Sequence, residues 1–504
     1  MNKIVKRSCA ITLTLAMMSS MAMSAGALDT LPFPGDAAVA ENQPTVHGYR
    51  PVDIAEWNAQ TDPYAEYTRA RVPLQQRNEA FAATQANPDL SPNTEYFALA
   101  GDYGNSFFET LQSNNFFSNY LYNFWQYTDY YASWHGMVTA ECPPELYDPN
   151  AGWWERKFEF GILNLPNPAY SNAAHKNGAL SIGCIFLPRA SQPASPMLVR
   201  NEDGTFPVAD KLKEMCDYYG FDGYFINQEE SISMEEVAAY QDFLAYCREI
   251  GIYMQWYDSI NVNTGGVRYD NEFTPSNSSF IYTEEKGNMA DSIFLNYWWN
   301  PDKIKRSVEH ANSIGVDPLK TVFFGLEGGM YRWEQPYDAQ WLFGEDGNPV
   351  ASIATLGPDF VGGLPENPHM NADYQWMTFE RERIWFSGPE KDPTKAGVNS
   401  SVDNSQVTGT TYSNWAGMAD YITERSVVNG NVFYTNFNTG HGMQYFVDGA
   451  VSNDEEWSNM NIQDILPTWQ WWIDTEGTKL DVNFDYGEKY NKGPMYDYES
   501  VGAY

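Results

Sequence analysis

Basic residues are scarce in this chain: 30 Lys and Arg stand against 66 Asp and Glu in 504 residues, a formal net charge of −36. A surface this acidic repels phosphate backbones and anionic headgroups, which excludes nucleic acid as a partner and a membrane surface held by charge. Cysteine is rarer still. Of five in the chain, Cys142, Cys184, Cys216 and Cys247 follow the N-terminal segment and form no CxxC pair, so they read as buried thiols rather than a disulfide framework. The six histidines show no HExxH or HxH spacing, which argues against a zinc hydrolase. There is no GxSxG elbow, no GxxxxGK loop and no GxGxxG after a strand. Serine-nucleophile, nucleotide and dinucleotide chemistry lose their support with them. No stretch of eighteen unbroken apolar residues occurs, so no transmembrane helix is predicted.

Aromatic residues are what the chain has in surplus, with 17 Trp, 34 Tyr and 28 Phe. Flat side chains in such number suit surfaces that stack on flat apolar faces, and sugar rings are the commonest of these outside nucleic acid. The first 27 residues have a different character. Lys3, Lys6 and Arg7 precede the mostly apolar Cys9 to Met23, and Ala25-Gly26-Ala27 supplies small residues for cleavage. That order predicts a secretory signal peptide cut near Ala27, and a secreted or cell-surface protein.

Residues 28–70 read as an N-terminal leader, and residues 71–475 alternate short apolar runs with amphipathic stretches. Leu180 to Leu187 is a strand candidate, followed by Leu212, Met215, Cys216 and Tyr219 at helical spacing and then Gly220. Asp222 to Asn227, Ile252 to Tyr257, Asp291 to Tyr297 and Thr321 to Phe324 repeat the pattern. With Trp134 to Val138 first, and Ile384 to Phe386 and Val432 to Tyr434 last, eight strands are predicted. Strands apolar on both faces, joined by helices, mean a parallel sheet. The expected fold class is α/β, a (β/α)8 TIM barrel, with an open doubly wound sheet as the alternative. Residues 476–504 read as a linker or the start of an incomplete β-sandwich domain.

The chemistry concentrates in Gly220 to Glu230, GFDGYFINQEE. On a strand, Asn227 and Glu229 are two apart and face the same way. At the C-terminal end of a barrel strand that face opens into the mouth where active sites lie. An amide beside a carboxyl suits substrate-assisted retaining hydrolysis. The amide orients a sugar 2-acetamido group whose oxygen attacks the anomeric carbon, and the carboxyl serves as acid and then base. The alternative is that Asn227 caps the strand end and Glu229 is a solvated loop acid.

The string DGYFINQE resembles the signature of the endo-β-N-acetylglucosaminidases of glycoside hydrolase family 85. It is also similar to the DGxDxDxE strand of family 18 chitinases, but Phe225 stands where those have their first Asp. Further segments carry the family 85 resemblance: FWQY (Phe124 to Tyr127) with Asp129, Val138-Thr139 with Pro143-Pro144, AAHKNG (Ala173 to Gly178), WYDS (Trp256 to Ser259), FLNYWW (Phe294 to Trp299), FFGLEGG (Phe323 to Gly329), TNFNTGHG (Thr435 to Gly442) and NIQDILPTW (Asn461 to Trp469). The resemblance implies that Asn227 orients the acetamido group, Glu229 is the general acid/base, and Tyr257 bonds at the reaction centre. It implies that Trp299 closes over the sugar, and that Trp298, Tyr297, Asn296, Trp256, Asp258, Trp134, His135 and Glu327 line the substrate.

Two departures from the family pattern are visible. About 28 residues, roughly Glu145 to Asn172 with Trp153 and Trp154, lengthen the link before AAHKNG, and are expected on the active-site face. Gly325-Leu326-Glu327 replaces a GxD step, so Glu327 is expected to keep a sugar contact at longer reach. The expectation is a secreted enzyme that cuts between the two N-acetylglucosamines of an N-linked glycan or glycoprotein, needing no metal or cofactor, with transglycosylation as a side reaction. A glycan-binding barrel without activity and a chitinase-like hydrolase are the alternatives.

Overall fold

The computed structural model describes residues 37–38, 46–49, 51–62, 65–78, 86–101, 121–134, 162–187, 193–336, 338–362, 372–397, 400–409, 415–428, 434–454 and 457–465. Eight parallel strands close on themselves: β1 Tyr96–Ala100, β2 Tyr130–Ser133, β3 Leu180–Leu187, β4 Gly223–Gln228, β5 Tyr253–Tyr257, β6 Ser292–Leu295, β7 Val322–Glu327 and β8 Ser352–Leu356. Each pairs in parallel with the next, and β8 returns to β1. The barrel is therefore a closed (β/α)8 and not an open sheet.

Alternation along each strand makes two cores. Inside the barrel lie Phe97, Ile182, Cys184, Phe186, Phe225, Tyr257, Phe294 and Phe323. The second core packs the outward faces against helices. These include α1 Pro168–Lys176, α2 Pro207–Tyr219, α3 Met234–Glu249 and α4 Pro301–Ser313. Their starts are chemically marked. Asn167 caps α1 and Asn300 caps α4, each with Pro at the first position, while Ser233 and Glu236 form a reciprocal capping box on α3. Gly220 ends α2 at φ 78°, where a Cβ would sit 2.6 Å from the Ala70 carbonyl oxygen, so only glycine fits.

Five of the eight expected strands are in place, from Leu180–Leu187 through the run at Thr321, and a sixth is shifted. The run placed at Trp134 to Val138 sits four residues earlier, at β2. The other two expectations are corrected. Ile384, Trp385 and Phe386 lie in a helix, α6 Ala372–Ser387, and are fully buried. Tyr434 is an exposed loop residue, and Val432 and Phe433 lie outside the described residues. The strands that replace them are β1 and β8.

Part of the stretch read as a leader packs on the barrel. Trp57 meets the rings of Tyr218 and Tyr219, and the Ala70 N–H donates to the Tyr219 carbonyl at 2.8 Å. Strands Val46–Tyr49 and Leu163–Asn164 run antiparallel onto the upper half of β3. Leu163–Asn164 belongs to the lengthened link, whose Trp153 and Trp154 lie outside the described residues. So do Cys142, residues 1–27, Trp469 and residues 476–504. Cys184, Cys216 and Cys247 are buried.

Candidate active site

β4 supplies the centre of the mouth. Tyr224 and Ile226 point outward into the helix layer, and Gln228 accepts from the Tyr240 hydroxyl of α3 at 2.6 Å. That fixes the strand's rotation and turns Phe225 and Asn227 inward. Phe225 fills the barrel axis against Phe97, Tyr257 and Phe294. Asn227 and Glu229 follow above it, and the Asn227 amide Nδ2 donates to Glu229 Oε2 at 2.7 Å. The other carboxylate oxygen, Oε1, accepts from the Tyr269 hydroxyl at 2.5 Å.

The neighbouring strand lies in register. Ile226 pairs with Trp256, so one step further Asn227 lies level with Tyr257. The Tyr257 hydroxyl donates to Asn296 Oδ1 at 2.8 Å, and Asn296 Nδ2 donates to Asn271 Oδ1 at 3.1 Å. Asn271 adopts a left-handed backbone, φ 56°, which asparagine tolerates better than most residues. Its N–H is held by Asp258 Oδ2 at 2.7 Å, and Asp258 Oδ1 accepts from Asn277 Nδ2 at 2.8 Å. Burial pushes the Asp258 carboxyl up to about 7 although both donors pull it down. Burial, with Tyr297, Glu229, Tyr269 and Asp258 nearby, raises the Tyr257 phenol well above its usual value, so it keeps its proton.

Trp134 is half-buried, edge-on to Phe186 and Phe225 at the top of the inner core. Tyr297 packs edge-on against Phe294. His135 lies outside the described residues.

Three expectations are corrected by placement. Trp256 faces outward, stacked on Phe280 at 4.2 Å and edge-on to Tyr240, because residues on either side of Tyr257 point away from the mouth. Trp299 is 2% exposed, its Nε1 donating to the Gly325 carbonyl at 2.8 Å, so it packs inside against β7 and not on the open face of the mouth. The residue that faces outward is Trp298, 57% exposed at φ 70°, edge-on to Tyr331 at 5.7 Å. Asp258 is a buried scaffold acid with no exposed face for substrate. Glu327 ends β7 and spends one oxygen on the Met330 N–H, 2.6 Å, as the cap of the short helix α5 Gly328–Tyr331. Burial raises its carboxyl.

A sequence profile described as "Glycosyl hydrolase family 85" matches residues 103–445, more than half of the chain. The chain belongs to glycosyl hydrolase family 85. It is similar to "Cytosolic endo-beta-N-acetylglucosaminidase 2" of Arabidopsis thaliana, 22% identical over 368 residues that cover 68% of this chain and 44% of that protein. It is 26% identical to the human "Cytosolic endo-beta-N-acetylglucosaminidase" over 242 residues, 44% of this chain and 30% of that protein. The solved glycoside hydrolase domain of Endo-D from Streptococcus pneumoniae R6 superposes with a TM-score of 0.67 at 26% identity, covering 89% of this chain and 64% of that one. The chain thus spans less than half the length of these curated relatives. Among the described residues, no helix is long and apolar enough to cross a membrane, and no group of three His, Cys, Asp or Glu is placed to hold a metal.

Other family 85 segments sit at the opposite end of the barrel from this mouth. His175 of AAHKNG bonds Asp222, just before β4, at 2.9 Å and the Val72 carbonyl at 2.7 Å. Trp125 of FWQY donates to Gln463 of NIQDILPTW at 2.8 Å. These segments hold the fold together. Tyr269 is the site residue the sequence reading missed. It lies in a loop with no apolar period, twelve residues beyond Tyr257, and only the folded loop brings it to Glu229.

Proposed function

We propose that this family 85 chain is an endo-β-N-acetylglucosaminidase that hydrolyses the N,N'-diacetylchitobiose core of N-linked glycans with retention of configuration. The observation that carries the proposal is the Asn227 amide bonded to Glu229 on adjacent inward positions at the barrel mouth. The similarity to endo-beta-N-acetylglucosaminidases of Arabidopsis thaliana and human supports it.

A retaining glycosidase with its own nucleophile needs a second carboxylate about 5 Å from the acid. Among the acids of this region, Asp258 is buried beneath the following loop, Asp270 pairs with Arg268, and Glu327 caps α5. A substrate acetamide supplies the missing nucleophile. Asn227 orients it, and its oxygen attacks C1 as Glu229 protonates the leaving oxygen. Water then opens the oxazoline with Glu229 as base, and a sugar hydroxyl in place of water gives transglycosylation. Tyr257 keeps its proton and steadies the charge near C1. Trp298, exposed beside Tyr331, is a plate for an outer sugar.

Export is part of this proposal. It rests on Lys3, Lys6 and Arg7 before an apolar run that ends in Ala25-Gly26-Ala27, although the relatives are named cytosolic.

Glu229→Gln and Asn227→Ala are each expected to lower cleavage of a high-mannose glycopeptide by about a thousandfold or more while the thermal midpoint stays put. Full cleavage by either variant would overturn the reading. Glycan binding by a wild-type protein that never cleaves would favour a barrel kept for recognition.

A further inference from the structure

The two oxygens of Glu229 have chemically different partners. Oε2 accepts from Asn227 Nδ2 at 2.7 Å, and an amide NH2 can only donate. Oε2 therefore stays an acceptor in either protonation state, and an acid proton placed on Oε1 leaves the bond from Asn227 at full strength. Oε1 is the oxygen that the Tyr269 hydroxyl touches at 2.5 Å. A phenol hydroxyl, unlike an amide NH2, can donate or accept.

Tyr269 is held where it is. Its ring lies 6.0 Å from that of Tyr257, tilted by 53°. Its loop is fixed on both sides: Arg268 N–H donates to the Ser259 carbonyl at 2.8 Å, and Asn271 N–H donates to Asp258 at 2.7 Å. Earlier in the loop, Gly265 at φ 67° accepts from the Ile232 N–H at 2.8 Å. A Cβ there would stand 2.0 Å from the Ile232 carbonyl oxygen.

We propose that Tyr269 is a positioning residue for the acid/base, donating to Oε1 while Glu229 is ionised and releasing that oxygen when the proton sits on it. This rests on the reading of Glu229 as the acid/base. In the first step the Oε1 proton passes to the glycosidic oxygen, the C1–O bond breaks toward that oxygen, and the acetamide oxygen bonds C1. Tyr269 then donates to the carboxylate left behind. In the second step a water oxygen bonds C1, the C1–O bond to the acetamide breaks, and the water's proton goes to Oε1. Tyr269 gives up its donor role once more. Its donation favours the ionised form, and so the half-reaction that needs a base.

The titratable and charged groups around this pair come from four directions. Glu230 is next in the chain and exposed. Tyr257 flanks the pair from β5, with Asp258 behind it. Arg268 and Asp270 pair with each other in the loop at 2.8 Å, and Tyr297 stands beyond Tyr257. All of them are common to the wild type and the variants below, so a difference between pH profiles reports Tyr269 itself.

The test is Tyr269→Phe, which keeps the ring of a 38% exposed residue and removes the hydroxyl. With a glycopeptide substrate, the alkaline limb of kcat/KM, where the acid is lost, is expected to move up by about one pH unit, the scale of one hydrogen bond to a charged group. With a preformed sugar oxazoline, which needs ionised Glu229, the acid limb moves up by the same amount. Replacing Tyr269 with 3-fluorotyrosine, a stronger donor of the same shape, moves both limbs down, and supplies the test should the Phe variant not fold. Limbs that stay in place while kcat falls or KM rises would overturn the proposal. Failure of the underlying reading has a separate signature, which is cleavage by Glu229→Gln.

Discussion

At the scale of single residues, the two adjacent tryptophans show how far one position shifts a role. A left-handed backbone at Trp298 turns it out beside Tyr331, while Trp299 goes in and bonds the Gly325 carbonyl. Trp298→Ala is therefore expected to raise KM for a glycopeptide about tenfold with little change in thermal midpoint, as loss of a stacking plate does. Trp299→Ala is expected to destabilise the fold by about 3 kcal/mol or more through the cavity it leaves. Kinetics and thermal melts of the pair decide this, and the opposite pattern would restore Trp299 as the sugar-facing residue. That Asn227 and Glu229 share a face was legible in the sequence from period-two geometry, while the roles given to them came from the family resemblance. Trp256 is corrected by that same geometry, since a neighbour of inward-facing Tyr257 must face outward. Tyr269 was not legible, because its place depends on Asp258, Gly265 and Asn271 folding the loop around it.

At the scale of elements, the middle strands from β3 to β7 were readable because a helix with clear start and stop signals follows most of them. The flanks were not. YFALA and SIATL are short runs without a telling neighbour, so β1 and β8 were missed. The run at Ile384 was placed last but one in the series of strands, and a short apolar run alone does not tell a buried helix from a strand. Helix α6 is instead buried even at its charges. Glu380 pairs with Arg383 and Lys391, and Glu382 accepts from the Asn123 N–H and Nδ2 at 2.9 and 2.7 Å. Burial pushes Glu382 up to about 8 and, elsewhere, Glu424 and Asp258 to about 7.

A carboxyl whose folded value lies above its unfolded one stabilises most below the ordinary carboxylate range, and the gain is lost as pH rises through the folded value. Buried His441, lowered to about 4, acts oppositely: its contribution is present above its ordinary value of 6.5 and lost as pH falls toward 4. The melting temperature should therefore fall by about 5 °C or more between pH 6 and pH 9. Glu382→Gln should flatten that fall, as calorimetry across the range would show. A midpoint that holds or rises to pH 9 would contradict it.

At the scale of the whole molecule, the closed barrel separates two tasks. The end away from the mouth holds the chain together through His175–Asp222 and Trp125–Gln463, residues of segments that resemble the family. The mouth carries one amide–carboxyl pair with a phenol on either side, and the proposed cleavage follows from that pair. It is tested most directly by digesting a high-mannose glycopeptide with the wild-type protein in water enriched in oxygen-18 and weighing both products. The predicted result is a peptide that keeps one unlabelled N-acetylhexosamine, and a released glycan with one heavy oxygen at its new reducing end. A peptide stripped of both N-acetylglucosamines, or one returned intact by a folded protein, would contradict it.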